Sequence, residues 1–256
     1  MMNQAKTNTY LSTAVPKHRK ITWRHHFMNP WHDIFLRYDA IESLLKKAEV
    51  EGEILEVGSG NWGLAAWSGK SVVGVDMNFN ESRVPNLVAV KADVTLLPFA
   101  DASFETVISS DMLEHLSPEE RPQGVKEIMR VASKFVVIAV PVGKDAERQD
   151  REIAEYQKNQ GMPVDTMLVE HLENGLPNRG DVLAMIHTVD KTAEIKVIRN
   201  FNLQIRRIST KYVSSRGLPQ GLLDYLITWA IRIMRPFLHI GSCYRDIYFV
   251  KRTIME

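Results

Sequence analysis

Residues Ile54–Trp67 read I-L-E-V-G-S-G-N-W-G-L-A-A-W. The apolar run Ile54, Leu55 and Val57 enters a turn containing Gly58, Gly60 and Gly63, and an apolar segment leaves it. That order predicts strand, tight turn and helix start. Glycine tolerates positive φ and lets a ligand approach the backbone, and the first turn of a helix has N–H groups to spare. The spacing G-x-G-x-x-G also fits a dinucleotide fingerprint, so by itself the turn leaves a plain αβ connection and several nucleotide-like ligands open.

Glu56, two residues before the first glycine, narrows the choice. An acid aimed into the turn would repel a pyrophosphate, whereas it suits a ligand with an ammonium or sulfonium group. S-adenosylmethionine has both, so Glu56 favours it over a nicotinamide dinucleotide. Downstream, residues 71–76 (S-V-V-G-V-D) read as a short buried strand ending in Asp76, and residues 87–93 (L-V-A-V-K-A-D) as another ending in Asp93. A carboxylate about 20 residues past the first glycine can accept hydrogen bonds from both ribose hydroxyls. A further acid at the next strand end can receive an adenine amino group. Glu56, Asp76 and Asp93 thus fall at one edge of a parallel sheet, where ligands of open α/β folds bind.

With these residues in view, the chain resembles the class I S-adenosylmethionine-dependent methyltransferases, in the type 11 methyltransferase-domain group that includes ubiquinone-pathway and small-molecule enzymes. The resemblance runs through residues 56–60 (E-V-G-S-G), Val75-Asp76, Ala92-Asp93-Val94, residues 97–111 (L-P-F-A-D-A-S-F-E-T-V-I-S-S-D) and residues 112–116 (M-L-E-H-L). It covers about residues 35–143 well and the remainder loosely. It implies a Rossmann-like sheet of seven strands, mostly parallel with an antiparallel last strand, helices on both faces and a helical insertion near the C-terminus. It also implies roles. Gly58, Ser59 and Gly60 would pass under the methionine part of the cofactor and Glu56 would lie near its ammonium. Asp76 would hold the ribose, Met77 would pack on the adenine, and Ala92, Asp93 and Val94 would meet the other adenine edge. Ser110 and Asp111 would line the methionine end. Trp62 stands where many members have glycine, and it is expected to pack on the sheet.

The 256 residues suffice for one α/β domain with additions. A net charge of +1 makes no case for nucleic-acid binding. The single cysteine excludes an internal disulfide and suits a reducing cytoplasm. His18, His25, His26 and His32 lie in an irregular basic segment without metal-ligand spacing, so no metal site is expected. Residues 1–34 are read as a basic, aromatic tail or flap lacking the apolar region of a signal peptide. Residues 35–256 are read as the catalytic domain, with insertions at about 144–178 and 218–241. Residues 195–209 alternate loosely and predict a strand. Residues 221–240 are apolar but interrupted by Asp224, Arg232, Arg235 and Pro236, which argues against a spanning helix. They predict a helix packed on the domain or in a homodimer interface, or one lying on the inner membrane surface and admitting a lipid-linked acceptor.

Methyl transfer from a sulfonium is an in-line displacement, so the protein must hold nucleophile, methyl and sulfur collinear. A hydroxyl acceptor must also lose a proton, a task suited to histidine. His115, four residues after Asp111, and His171, in the insertion, are the candidates, with Asp111 as a base or orienting group. The segment around His171 and the apolar C-terminal stretch loosely resemble methyltransferases of cell-surface polysaccharide pathways. The expected activity is therefore O-methylation of a sugar or lipid-linked glycan precursor. The alternatives are methylation of a quinone, lipid or secondary metabolite, and a binding module that has lost catalysis.

Overall fold

The computed structural model describes residues 32–79, 84–216, 230, 233, 234 and 237–252. Helix α1 (His32–Lys47) leads into β1 (Ile54–Val57), followed by the short α2 (Gly63–Ser68), β2 (Val72–Asp76) and β3 (Leu87–Lys91). A 3-10 turn (Val94–Leu96) precedes β4 (Phe104–Ser110), and a second one (Leu113–His115) follows it. Then come α3 (Arg121–Val131), β5 (Ala132–Pro141), α4 (Gly143–Asn159), α5 (Thr166–Asn174) and α6 (Arg179–Val189). The chain ends with β6 (Glu194–Asn202), α7 (Leu203–Arg216) and β7 (Cys243–Lys251).

The seven strands form one sheet in the order β3-β2-β1-β4-β5-β7-β6. Strands β1 to β5 pair in parallel, and β7 lies antiparallel between β5 and β6. The strand order reverses between β1 and β4, which opens a crevice beyond their carboxyl ends.

Period-two alternation assigns each strand residue to one of two cores. Leu55, Val57, Val107, Val136, Ile138 and Val140 face α3 and α6 through Val125, Ile128, Met129, Val182 and Ile186. Ile54, Val72, Ile108, Val137 and Ala139 meet Ile41, Leu44 and Leu45 of α1 and Leu64 and Trp67 of α2. The same alternation puts Glu56 on the α1/α2 side with Ile54, where it is fully buried. Its Oε1 accepts from the Tyr38 hydroxyl at 2.8 Å and its Oε2 from the Leu64 N–H at 2.6 Å.

Several element boundaries differ from the sequence expectation. The strand expected over residues 195–209 stops at Asn202, and the chain continues as α7. The Asn202 Oδ1 accepts from the N–H groups of Gln204 and Ile205, which caps the new helix. Helix α3 begins only at Arg121. Glu120 bonds back to Ser117 N and Oγ at 3.1 and 2.8 Å, closing a separate turn ahead of it. Trp62 is 59% exposed instead of packed on the sheet, because it precedes α2 on the outer side of the glycine turn. Residues 1–31 and most of the expected 221–240 helix lie outside the described residues. No helix among the described residues is long and apolar enough to cross a membrane.

Two stability outcomes follow from Glu56. Burial pushes its carboxyl up from 4.5 to about 7, with the Leu64 and Tyr38 hydrogen bonds opposing the shift. A folded value above the unfolded one means that this contribution is complete below pH 4.5 and lost as pH rises through 7. Relative to Glu56→Gln, the unfolding free energy of the wild type should fall by about 3 kcal/mol across that window and then level off, as read by urea denaturation. Gly63 has φ +45, and a Cβ there would stand 2.1 Å from Glu56 Oε2, whereas Gly69, at φ +68, has open space. Gly63→Ala should therefore cost well over about 2 kcal/mol and Gly69→Ala about 1 kcal/mol, read in the same experiment.

Candidate active site

The glycine turn lies at the crevice between β1 and β4. Its geometry is fixed by β2: the N–H groups of Gly58 and Ser59 both donate to Val75 O, at 2.8 and 3.2 Å. Gly60 N donates to Asp76 Oδ2 at 2.9 Å, while Asn78 N donates to Oδ1 at 3.1 Å. Gly58 and Gly60 have φ +79 and +53. A Cβ on Gly58 would press on Met112 Cβ at 2.7 Å, so the turn sits directly against the segment after β4. A Cβ on Gly60 would meet nothing within 4 Å, which leaves backbone open to an incoming group.

The other expected cofactor residues gather along the same sheet edge. Met77 follows Asp76 and is 55% exposed, an apolar surface for a ring to lie on. Ala92 is half-buried and Val94 buried. Exposed Asp93 accepts from the N–H and hydroxyl of Thr95 at 2.8 Å each, so it starts the 3-10 turn as well as presenting a carboxylate. Ser59 donates to Gly60 O at 3.0 Å. Ser110, at the end of β4, is buried, and its Oγ has no hydrogen-bond partner among the described residues. An open glycine backbone, a carboxylate, an exposed thioether and an unsatisfied hydroxyl match the donor and acceptor pattern of an adenosyl amino acid. Glu56 differs from the sequence expectation: its two oxygens hold α1 and the start of α2 from below.

The segment after β4 carries the acid–base groups. Asp111 has φ +49 and is held by two guanidiniums. Arg37 NH1 of α1 lies 2.7 Å from Oδ2, and Arg245 of β7 donates to both oxygens, its Nε at 2.5 Å from Oδ1. Burial would raise the Asp111 carboxyl, but Arg245 and then Arg37 overcome this and hold it at about 2. A carboxylate so paired is a poor proton acceptor.

His115 and His171 stand together, their ring centroids 5.1 Å apart. Each is fixed through Nδ1 by a carboxylate: His115 by Glu170 at 2.6 Å, and buried His171 by Asp150 at 2.9 Å. Asp150 also accepts from the Tyr244 hydroxyl at 2.9 Å and pairs with Arg206 at 2.8 Å. The α5 insertion is strapped to this segment, since Asn174 Nδ2 donates to His115 O at 3.0 Å and Arg121 donates to both Leu113 O and Asn174 O. Fully buried Glu114 completes the group, its carboxyl pushed well up by burial and by the charge of Asp111. The sequence reading named His115, His171 and Asp111 but not Glu114, Arg37, Tyr38, Asp150 or Arg245. Glu114 lay inside the quoted M-L-E-H-L motif. The others sit far away in sequence, and nothing local marks them.

Residues 55–138 match the family model of the methyltransferase domain. No curated protein matches the chain. Among solved structures, it is similar to a SAM-dependent methyltransferase from Thermotoga maritima, with TM-score 0.53 and 15% identity over 90% of this chain and 95% of that one. It is also similar to magnesium protoporphyrin IX methyltransferase from Synechocystis, solved with SAH, with TM-score 0.50 and 11% identity over 91% and 89% of the two chains. The sheet order and the glycine turn with its strand-end acids give the chain the fold of the class I S-adenosylmethionine-dependent methyltransferases, and its residues 55–138 match their methyltransferase domain.

Proposed function

We propose that the methyl group goes to a hydroxyl oxygen of a sugar or lipid-linked glycan precursor. The observation that carries this reading is the pair of carboxylate-oriented histidines, His171–Asp150 and His115–Glu170, beside the end of β4. A carboxylate can only accept, so each pair makes Nδ1 the donor and turns Nε2 into the ring position through which a proton can be exchanged. An amine acceptor can present a lone pair without help at neutral pH once unprotonated. A neutral hydroxyl cannot, and it is the acceptor for which such a pair is useful.

The bound cofactor supplies a methyl group on a positively charged sulfur. This chain's residues supply position. Gly60 offers close backbone approach, Asp76 and Asp93 face the ribose and adenine edges, and Met77 gives the ring an apolar bed. Ser110 and the clamped Asp111 lie toward the methionine end. Exposed Ile233, Met234, Phe237 and Ile240 support an acceptor with a lipid tail. A homodimer through the same apolar stretch is the competing use of that surface.

Calorimetry with S-adenosylhomocysteine should show one site per chain, and Asp76→Ala should weaken it at least tenfold. An unchanged affinity would remove Asp76 from the cofactor site. His115→Ala and His171→Ala should keep that affinity while turnover falls by about 10²–10⁴. With a labelled methyl donor, label should pass to polyol and glycolipid acceptors, and transfer to amines alone would refute the hydroxyl reading. Co-sedimentation with anionic vesicles should retain the chain, and it should weaken when Ile233 and Phe237 are both replaced by Ser. Failure to bind any vesicle would leave only soluble acceptors.

A further inference from the structure

We propose that Glu114, His115 and His171 form a binding site for one divalent transition-metal ion, which takes the acceptor's hydroxyl oxygen next to the glycine turn. The proposal rests on the hydroxyl-acceptor reading above and moves deprotonation from a histidine to the ion.

One ligand atom from each of the three residues lies within 4.8 Å of the others. Glu114 Oε1 and His171 Nε2 are 3.9 Å apart, too far for a hydrogen bond. Two ligands each about 2.1 Å from a shared ion stand roughly 3.3–4.2 Å apart, so the observed spacing needs only modest side-chain rotation. Both Glu114 oxygens and His171 Nε2 are buried without a hydrogen bond from any other described residue. Glu114 has no solvent exposure and His171 only 7%. Buried polar atoms are nearly always satisfied, and a carboxyl and an imidazole nitrogen left unsatisfied beside each other form an arrangement that a cation resolves. The neighbouring guanidiniums are engaged elsewhere: Arg121 with the carbonyls of Leu113, Asn174 and Gly175, and Arg37 and Arg245 with Asp111.

The surroundings have the form of a metal site's outer layer. Ligating histidines characteristically donate their other ring N–H to a carboxylate, which fixes tautomer and ring orientation. Asp150 does this for His171 and Glu170 for His115, at 2.9 and 2.6 Å. Asp150 is in turn held by Tyr244 and Arg206. Two imidazoles and a carboxylate suit zinc, iron, cobalt or manganese, and three protein ligands leave coordination positions for a substrate oxygen. The site is also adjacent to the cofactor turn, because Met112, two residues before Glu114, is the residue on which Gly58 packs.

An oxygen bound to a divalent ion loses its proton at far lower pH than a free alcohol. The acceptor's O–H proton passes to solvent, and the oxygen lone pair forms the new C–O bond. The C–S electron pair returns to sulfur, giving a methyl ether and a neutral thioether. No oxidant or reductant enters.

The test uses the untagged full chain stripped with a chelator, titrated separately with Co2+ and Mn2+ by equilibrium dialysis, with visible absorption reporting Co2+. One ion per chain should bind, with a Kd in the micromolar range or tighter. Glu114→Gln and His115→Ala should each weaken binding about 10–100-fold while circular dichroism and the affinity for S-adenosylhomocysteine stay as in wild type. His115 is partly exposed, so its variant tests the site even if the buried Glu114→Gln misfolds. Absence of stoichiometric binding of either ion, or equal binding by both variants, overturns the proposal. Ion binding in a chain that fails to bind S-adenosylhomocysteine would uphold the metal site and sink the methyl-transfer reading instead.

Discussion

The clamp on Asp111 is the interaction on which the site's arrangement depends. Asp111 lies one residue past β4, Arg37 on α1 and Arg245 on β7, so a single carboxylate joins three elements that are far apart in sequence. Arg245 is fully buried, and leaving such a charge unpaired costs about 3–5 kcal/mol. The chain therefore accepts a left-handed backbone at Asp111, a conformation that Asp tolerates better than most residues. That bend turns the chain off the sheet, setting Met112 under Gly58 and Glu114 and His115 beside the insertion. The Asp111 N–H still donates to Ala139 O at 2.8 Å, so the strand edge stays satisfied through the bend.

The strand-end acids serve two ends at once. Each bonds backbone N–H groups close to the crevice: Glu56 that of Leu64, Asp76 those of Gly60 and Asn78, and Asp93 that of Thr95. A short loop at a strand end leaves N–H groups without ladder partners, and a nearby carboxylate satisfies them with charge-assisted bonds. The same placement puts negative charge where a cationic ligand would lie. Stabilising the loop and selecting the ligand thus call for the same residue type at the same position.

The insertion after β5 shows the reverse dependence. In sequence it is a charged stretch with few aliphatics, which looks solvated. In the fold its α5 helix brings His171 into the interior, where Asp150, Tyr244 and Arg206 surround it. Arg206 also lies 3.4 Å over the Tyr244 ring, so the apolar face of one residue screens the charge of the next. Polarity alone was a poor guide here because charges that pair with one another can be buried together.

The first three strands and the glycine turn were legible from local pattern, while the seven-stranded sheet with helices on both faces came from the family resemblance. Strand alternation and glycine conformational freedom act within a few residues, so a linear sequence records them directly. Ile41, Leu44 and Leu45 on α1 form a buried face through the same kind of short-range periodicity. The α7 start at Leu203 was missed because Asn202 caps a helix where loose alternation suggested more strand. Trp62 was expected to be buried because of its size, yet the turn carries it outward. Above all, sequence alone set the residue types at the crevice, while tertiary structure decided which of them meet. Asp111 with Arg245, His171 with Asp150, and Glu114 with His171 become neighbours only when the antiparallel β7 and the α5 insertion close on the end of β4. Such pairings depend on long-range packing, and electrostatic partners separated by tens of residues leave no periodic trace in the chain.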